Sequence, residues 1–237
     1  INDTGTGAKD HDTLSLQSSE VEPEIEIVVA PNEVTYWKKT TPGIAKGIER
    51  IEVSKLVQPT PFTPEPLTYK FQKGWALRNI DYLLTNVKTP AIKLDFSDVT
   101  QNLQYDIGRT TSNNNQFIDV YVVEIDKNGN WKRKKDAESI KITLHGIDAF
   151  KETAITTGRG HNRIRFFNDT KIKSLTVIDK TGTRANILDY SESSFSNVRS
   201  FLTAEPDNFP DPVDANEVVG NVKNINVGEL PPQIPIQ

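Results

Sequence analysis

The chain has no cysteine and no methionine, and only three tryptophans and three histidines in 237 residues. Without cysteine there can be no disulfide staple, no thiolate zinc site and no cysteine nucleophile. His11, His145 and His161 share no metal-ligand spacing. No Gly-x-Ser-x-Gly elbow, phosphate loop or dinucleotide fingerprint occurs. No apolar run approaches the roughly 18 residues of a membrane-crossing helix, and the start lacks the basic and apolar regions of a signal peptide. A basic surplus is missing too: 28 Lys and Arg stand against 32 Asp and Glu, a net charge of −4. That balance argues against general binding to nucleic acid or anionic membranes, which needs a basic surface to displace counterions. The expectation is a chain without catalytic residues, metal or cofactor. It begins at Ile1, which reads as a processed or trimmed product or as a sequence lacking its own beginning.

Apolar residues make up 35% of the chain, against about 45–50% (Gly included) in a typical globular domain. Part of the length is therefore expected to lie outside any core. Residues 1–23 are rich in Gly, Ser, Thr, Asp and Glu and read as an N-terminal arm that orders on a partner. Residues 24–66 read as an edge strand followed by a Pro-rich connector, with Ile44, Ile48 and Ile51 at helical spacing. Residues 205–237 carry six prolines and short apolar islands, and read as a second arm.

What the chain does have is alternation. The strongest stretch runs from Gln116 to Gly146. Phe117 to Ile125 is rich in Val, Ile, Phe and Tyr, as a strand with two buried faces would be. Asp126-Lys127-Asn128-Gly129-Asn130 supplies the Asn-Gly pair of a tight hairpin. Ile140, Ile142 and Leu144 then alternate with Lys141, Thr143 and His145. Shorter alternating runs occur at Leu67–Phe71, Ile92–Phe96, Leu103–Ile107, Arg163–Phe166, Leu175–Ile178 and Ala185–Leu188. No repeat of fixed period is visible. Phe195, Val198, Phe201 and Leu202 share one face of a helix over Ser193–Ala204. The fold expected is all-β: a single antiparallel β-sandwich or jelly roll over residues 67–204, closed by one short C-terminal helix, with extended N- and C-terminal arms.

Several groups present chemistry. Arg159, His161, Arg163 and Arg165 form a Gly-flanked loop feeding alternating cations into a strand, suited to a carboxylate, phosphate or sugar hydroxyl. The bland alternative is solvated arginines paired with acids on the next strand. Trp131 and Trp75 are candidate stacking platforms for sugar rings; core or interface anchoring is the alternative. Asp126 to Asn130 has oxygens at alternate positions, as calcium loops do, but Ala137 stands where such a loop has its distal Glu. Lys132-Arg133-Lys134-Lys135 could touch an acidic partner or a phosphate backbone; the bland alternative is a solvated hairpin tip. Asp119 and Glu124 are the carboxylates a glycan-active enzyme would have to bring together. Asn2-Asp3-Thr4 and Asn168-Asp169-Thr170 match the glycosylation acceptor.

A β-domain with two low-core arms and no catalytic constellation suggests a non-enzymatic structural subunit of a large assembly. Virion proteins of capsid, decoration, spike or tail type are built this way, lacing homo- or hetero-oligomeric neighbours through segments such as 1–29 and 205–237. The alternative is an extracellular carbohydrate-binding or adhesive module. Either places the chain in a virion or outside the cell.

Overall fold

The computed structural model describes residues 12–17, 26–38, 41–55, 67–83, 91–113, 115–145, 152–167, 175–178, 186–189, 199–203, 218–219 and 226–227. These form nineteen strands in two packed sheets, with no helix among them. In chain order the strands are β1 (Thr13–Gln17), β2 (Glu26–Val29), β3 (Glu33–Lys38), β4 (Thr41–Lys46), β5 (Arg50–Lys55), β6 (Leu67–Gln72) and β7 (Asn79–Tyr82). There follow β8 (Ala91–Asp98), β9 (Leu103–Arg109), β10 (Gln116–Ile125), β11 (Trp131–Arg133), β12 (Ser139–Leu144) and β13 (Glu152–Thr156). The last six are β14 (Asn162–Phe166), β15 (Leu175–Ile178), β16 (Asn186–Asp189), β17 (Arg199–Thr203), β18 (Val218–Val219) and β19 (Asn226–Val227).

The ten-stranded sheet runs β1-β5-β7-β12-β10-β9-β14-β16-β18, with β11 as a short ribbon on β10; the nine-stranded sheet runs β19-β17-β15-β13-β8-β6-β2-β3-β4. The antiparallel pairing expected of a sandwich or jelly roll is corrected here. Among the described residues twelve of the seventeen pairings are parallel. The reason is the winding. From β13 to β19 successive strands alternate between the sheets, so each strand lies parallel to the one laid down a full circuit earlier. Thr153 thus pairs with Leu175, and Leu175 in turn with Ser200. In the other sheet Asn162 pairs with Asn186, and Leu188 with Val218.

Two antiparallel features interrupt the coil. The meander β9-β10-β12 is inserted in the ten-stranded sheet between β7 and β14, while β8 and β13 pair directly in the sheet opposite. The hairpins β2-β3-β4 end the nine-stranded sheet. There β4 carries Pro42, which has no N–H to offer a further strand, and Gly43, over which the Tyr36 ring lies so closely that a Cβ would sit 2.2 Å from Cζ. Ile44 and Ile48, expected on a helical turn, therefore sit on and just after a strand; Ile44 is 47% exposed and Ile48 buried.

Segment 13–17, part of the expected arm, forms β1 against β5 of the same chain. Arg199–Thr203, the second half of the expected helix, is strand β17 between β15 and β19; residues 193–198 lie outside the described residues. Apolar residues at helical spacing over so short a segment fit a strand as well, and a ladder on both sides overrides propensity.

Between the sheets Ile27, Val29, Ile51, Val53, Ile80, Leu94, Ile107, Ile118, Val120, Ile140, Ile142 and Leu144 are buried, all on alternating inward positions. An aromatic group anchors them. Phe71 and Phe96 stack at 4.4 Å, and Trp75 meets both edge-on, at 5.6 and 5.7 Å. Tyr105 meets Phe96 edge-on at 5.4 Å. Each such pair contributes about 0.5–1.5 kcal/mol beyond the area it buries.

Candidate functional site

With inward positions committed to the core, chemistry must sit on outward ones, and the meander brings those together. Antiparallel β9 and β10 place Asp106 opposite Asp119 and Gln104 opposite Tyr121. Antiparallel β10 and β12 place Asp119 opposite Lys141 and Phe117 opposite Thr143. Parallel β14 places Arg165 beside Asp106 and Arg163 beside Gln104. One row across the sheet therefore reads Arg50, Asn79, Lys141, Asp119, Asp106, Arg165.

Asp106 is the hub. Its Oδ1 accepts from Gln104 Nε2 at 2.9 Å and Arg165 Nε at 3.0 Å; its Oδ2 accepts from the Tyr121 hydroxyl at 2.8 Å and Arg165 Nη2 at 3.3 Å. Gln104 Nε2 also donates to the Tyr121 oxygen at 2.7 Å. Burial, then the bond to Asp106, pushes the Tyr121 hydroxyl well above its ordinary pKa. Asp119 is held differently: its polar contact is Arg133 Nη1 at 3.5 Å. Burial raises its pKa above the usual carboxylate value, against the pull of Arg133 and Lys141 and with the help of Asp106. Three rings on this face carry a cation: Arg133 over Tyr121 at 4.5 Å, Arg165 over Phe167 at 4.6 Å and Lys141 over Phe117 at 5.3 Å. Gly108 lies between Phe117 and Phe167, so close that a Cβ would meet an atom of each at 3.0 Å.

Trp131, Arg163 and Arg165 share this face. Trp131 is half-buried on β11, opposite Ile125 and two residues from Arg133. The arginine loop divides instead of acting as a unit. Arg159 is exposed at one end of the sheets with Nε on the Ser97 carbonyl at 2.9 Å, and the His161 N–H binds Asn102 Oδ1 at 3.0 Å. Trp75 is 1% exposed, and its ring belongs to the core. The loop is organised by Asn162, which sequence reading passed over: buried, it donates from Nδ2 to the carbonyls of Gly158 and Gly160, both at 2.8 Å, and accepts from the Tyr105 hydroxyl at 3.3 Å.

Asp119 and Glu124 do not converge. They stand on opposite faces of β10, and Glu124 pairs with Lys134 at 3.7 Å. The Asp126 carboxylate is occupied by its own turn: Oδ1 accepts from the backbone N–H of Asn128 at 2.8 Å and of Asn130 at 3.0 Å, and from Asn130 Nδ2 at 3.2 Å. Those bonds, those of Asn130 foremost, hold its pKa down at about 2. Gly129, at φ 81°, supplies the positive dihedral the hairpin requires. His145 sits between Asp81 (Nε2 to Oδ1, 2.7 Å) and Asn115 (Nδ1 to Nδ2, 3.1 Å), and Arg50 Nε binds the other Asp81 oxygen at 2.8 Å. The residues that sequence reading missed, Gln104, Asp106, Phe117, Tyr121 and Lys141, carry one signal only: they are outward positions of alternating strands. Which of them meet depends on register, which alternation leaves open.

No protein-family model, no curated protein and no solved structure matches this chain.

Proposed function

We propose that this chain is a non-enzymatic structural subunit of a large assembly, of the kind that builds the capsid, decoration, spike or tail of a virion. The observation that carries this reading is the winding. A chain that alternates between two sheets and stacks parallel strands circuit on circuit builds an extended body whose ends are strand edges, β1 and β4 on one side and β18 and β19 on the other. Edges of this kind are templates for a further strand, from a neighbour or from another copy. The edge strands β1, β18 and β19 belong to the two segments expected to engage partners, the polar start and the Pro-rich segment 205–237. Light scattering on the size-fractionated full chain over a range of concentrations tests it. The expected result is a defined oligomer, or growth into longer particles. A monomer at every concentration, alone and with the other components of its particle, overturns it.

A second reading, a carbohydrate-binding module outside the cell, is favoured by one specific observation. The outer face of the meander combines three cation-capped rings with carboxylates and amides, the mixture of apolar face and two-way hydrogen bonding that sugars need. Retention of oligosaccharides on an array by the full chain tests it, and silence across neutral and acidic sugars removes it.

A further inference from the structure

We propose that the outer face of β10 and β12 around Asp119 is a recognition site for a neutral saccharide, held through a vicinal diol; this rests on the carbohydrate reading above and names its residues. The evidence is the contrast between two adjacent carboxylates. Asp106 accepts four hydrogen bonds from Gln104, Tyr121 and Arg165 and has nothing left to offer. Asp119, directly opposite it in the ladder, has a single contact of 3.5 Å to Arg133, well beyond the ~2.7–2.9 Å of a charge-assisted bond. A half-buried carboxylate facing a second carboxylate with one long contact is unfavourable for folding. A Thr at the same position would remove the like-charge contact and suit a strand better. An acceptor kept at such a cost is available to a ligand that brings donors.

Its neighbours limit what that ligand is. Lys141, opposite Asp119 on the other side, and Arg133 bring donors, and each lies over a ring, Phe117 and Tyr121 respectively. An anion would meet Lys141 and Arg133 favourably but would lie against two carboxylates. A metal ion would find one free carboxylate among three cations, Arg133, Lys141 and Arg165. A vicinal diol satisfies both signs: its hydroxyl hydrogens go to Asp119 and its oxygens accept from Arg133 and Lys141. All five side chains project from two paired strands and their β11 ribbon, so the site is held by sheet and not by loop.

The full chain and its Asp119→Ala, Asp119→Asn and Lys141→Ala variants are applied to an array of neutral and acidic oligosaccharides, and affinity for retained sugars is measured by titration calorimetry. Wild type is expected to retain neutral oligosaccharides. Asp119→Ala and Lys141→Ala are each expected to lower that affinity about tenfold or more, with the thermal midpoint of Asp119→Asn kept or raised. Lys141 is exposed, so its variant reports on binding even if Asp119→Ala folds poorly. Wild-type binding that both variants leave intact overturns this site and leaves the carbohydrate reading standing elsewhere on the surface. Binding confined to acidic sugars, fading with salt and tightened by Asp119→Asn, overturns the neutral diol. Silence of the wild type overturns the site and the reading together.

Discussion

Tyr82, on β7 of the ten-stranded sheet, donates its hydroxyl hydrogen to the hydroxyl oxygen of Tyr69, on β6 of the sheet opposite, at 2.9 Å, and both rings are fully buried. The bond fixes how the sheets sit on each other at the core, where apolar packing alone tolerates sliding. Replacing either tyrosine by Phe leaves the other hydroxyl without this partner and is expected to destabilise by about 1–3 kcal/mol. The double Tyr69→Phe, Tyr82→Phe variant should lose less than the two single losses added together. Denaturant unfolding of the four proteins gives this coupling directly.

The same burial fixes the alkaline limit. Tyr69, Tyr82 and Tyr105 are each raised above the ordinary value of 10.0, with desolvation the largest cause. Below pH 10 folded and unfolded chains both keep these protons, and stability is fully present. Above it the unfolded chain releases them while the folded chain does not, so stability falls as pH rises further. Unfolding midpoints between pH 8 and pH 11.5 should be flat and then drop. The drop should be shallower in Tyr105→Phe, once that variant is corrected for its own neutral-pH loss.

Asp119 gives a test of the same sign on the acid side. Its folded pKa lies above the unfolded one, so the folded chain binds the extra proton, and stability falls as pH rises through that value. Asp119→Asn removes the ionised group. It is expected to match or exceed the wild-type thermal midpoint at pH 7 and to lose that advantage below about pH 4, where the wild-type carboxyl is protonated in both states. A clear loss of stability at pH 7 would show Asp119 to be a structural partner of Arg133.

Asn162 and Gly160 together hold the loop that carries the chain from one sheet to the other. A Cβ on Gly160 would stand 2.5 Å from the Gln101 carbonyl oxygen, a backbone atom with nowhere to go. Gly160→Ala is expected to destabilise by about 1–3 kcal/mol. Asn162→Ala leaves the buried Gly158 N–H with the longer contact to the Tyr105 hydroxyl, at 3.4 Å, and takes the donor from two carbonyls; it is expected to cost roughly 3 kcal/mol. Both variants should open the ladder between β9 and β14 first, which hydrogen exchange at Leu103 and Phe167, whose N–H groups donate across it to His161 and Ile107, would detect.

The strands of the meander were legible in the sequence, because alternation such as Ile140, Ile142, Leu144 against Lys141, Thr143, His145 arises wherever one face is buried. Strand direction was not legible. A half-buried strand alternates in the same way beside a parallel or an antiparallel neighbour, and Thr153 meets Leu175 through an intervening strand in the other sheet. A coil should leave a period, but the circuits from Thr153 to Leu175, Leu175 to Ser200, Asn162 to Asn186 and Leu188 to Val218 differ in length and blur it. The misread helix has a related cause: Phe201 and Leu202 are adjacent, a pattern that fits either structure over so short a segment. Of the candidate residues, Trp131, Arg163 and Arg165 fall on the outer face of the meander, while Trp75 falls in the core. Asp106 became visible only once register set it against Asp119.

Between Asn162 and Asn186 the chain makes one complete circuit and returns to the same column, one strand further along. A circuit is thus a unit of length. Removing or adding one moves the end of the body by about 4.8 Å and leaves the directions of the flanking ladders unchanged. A gene encoding such a chain can alter reach in whole steps without redesigning either terminus, as a ruler is shortened by cutting between its gradations.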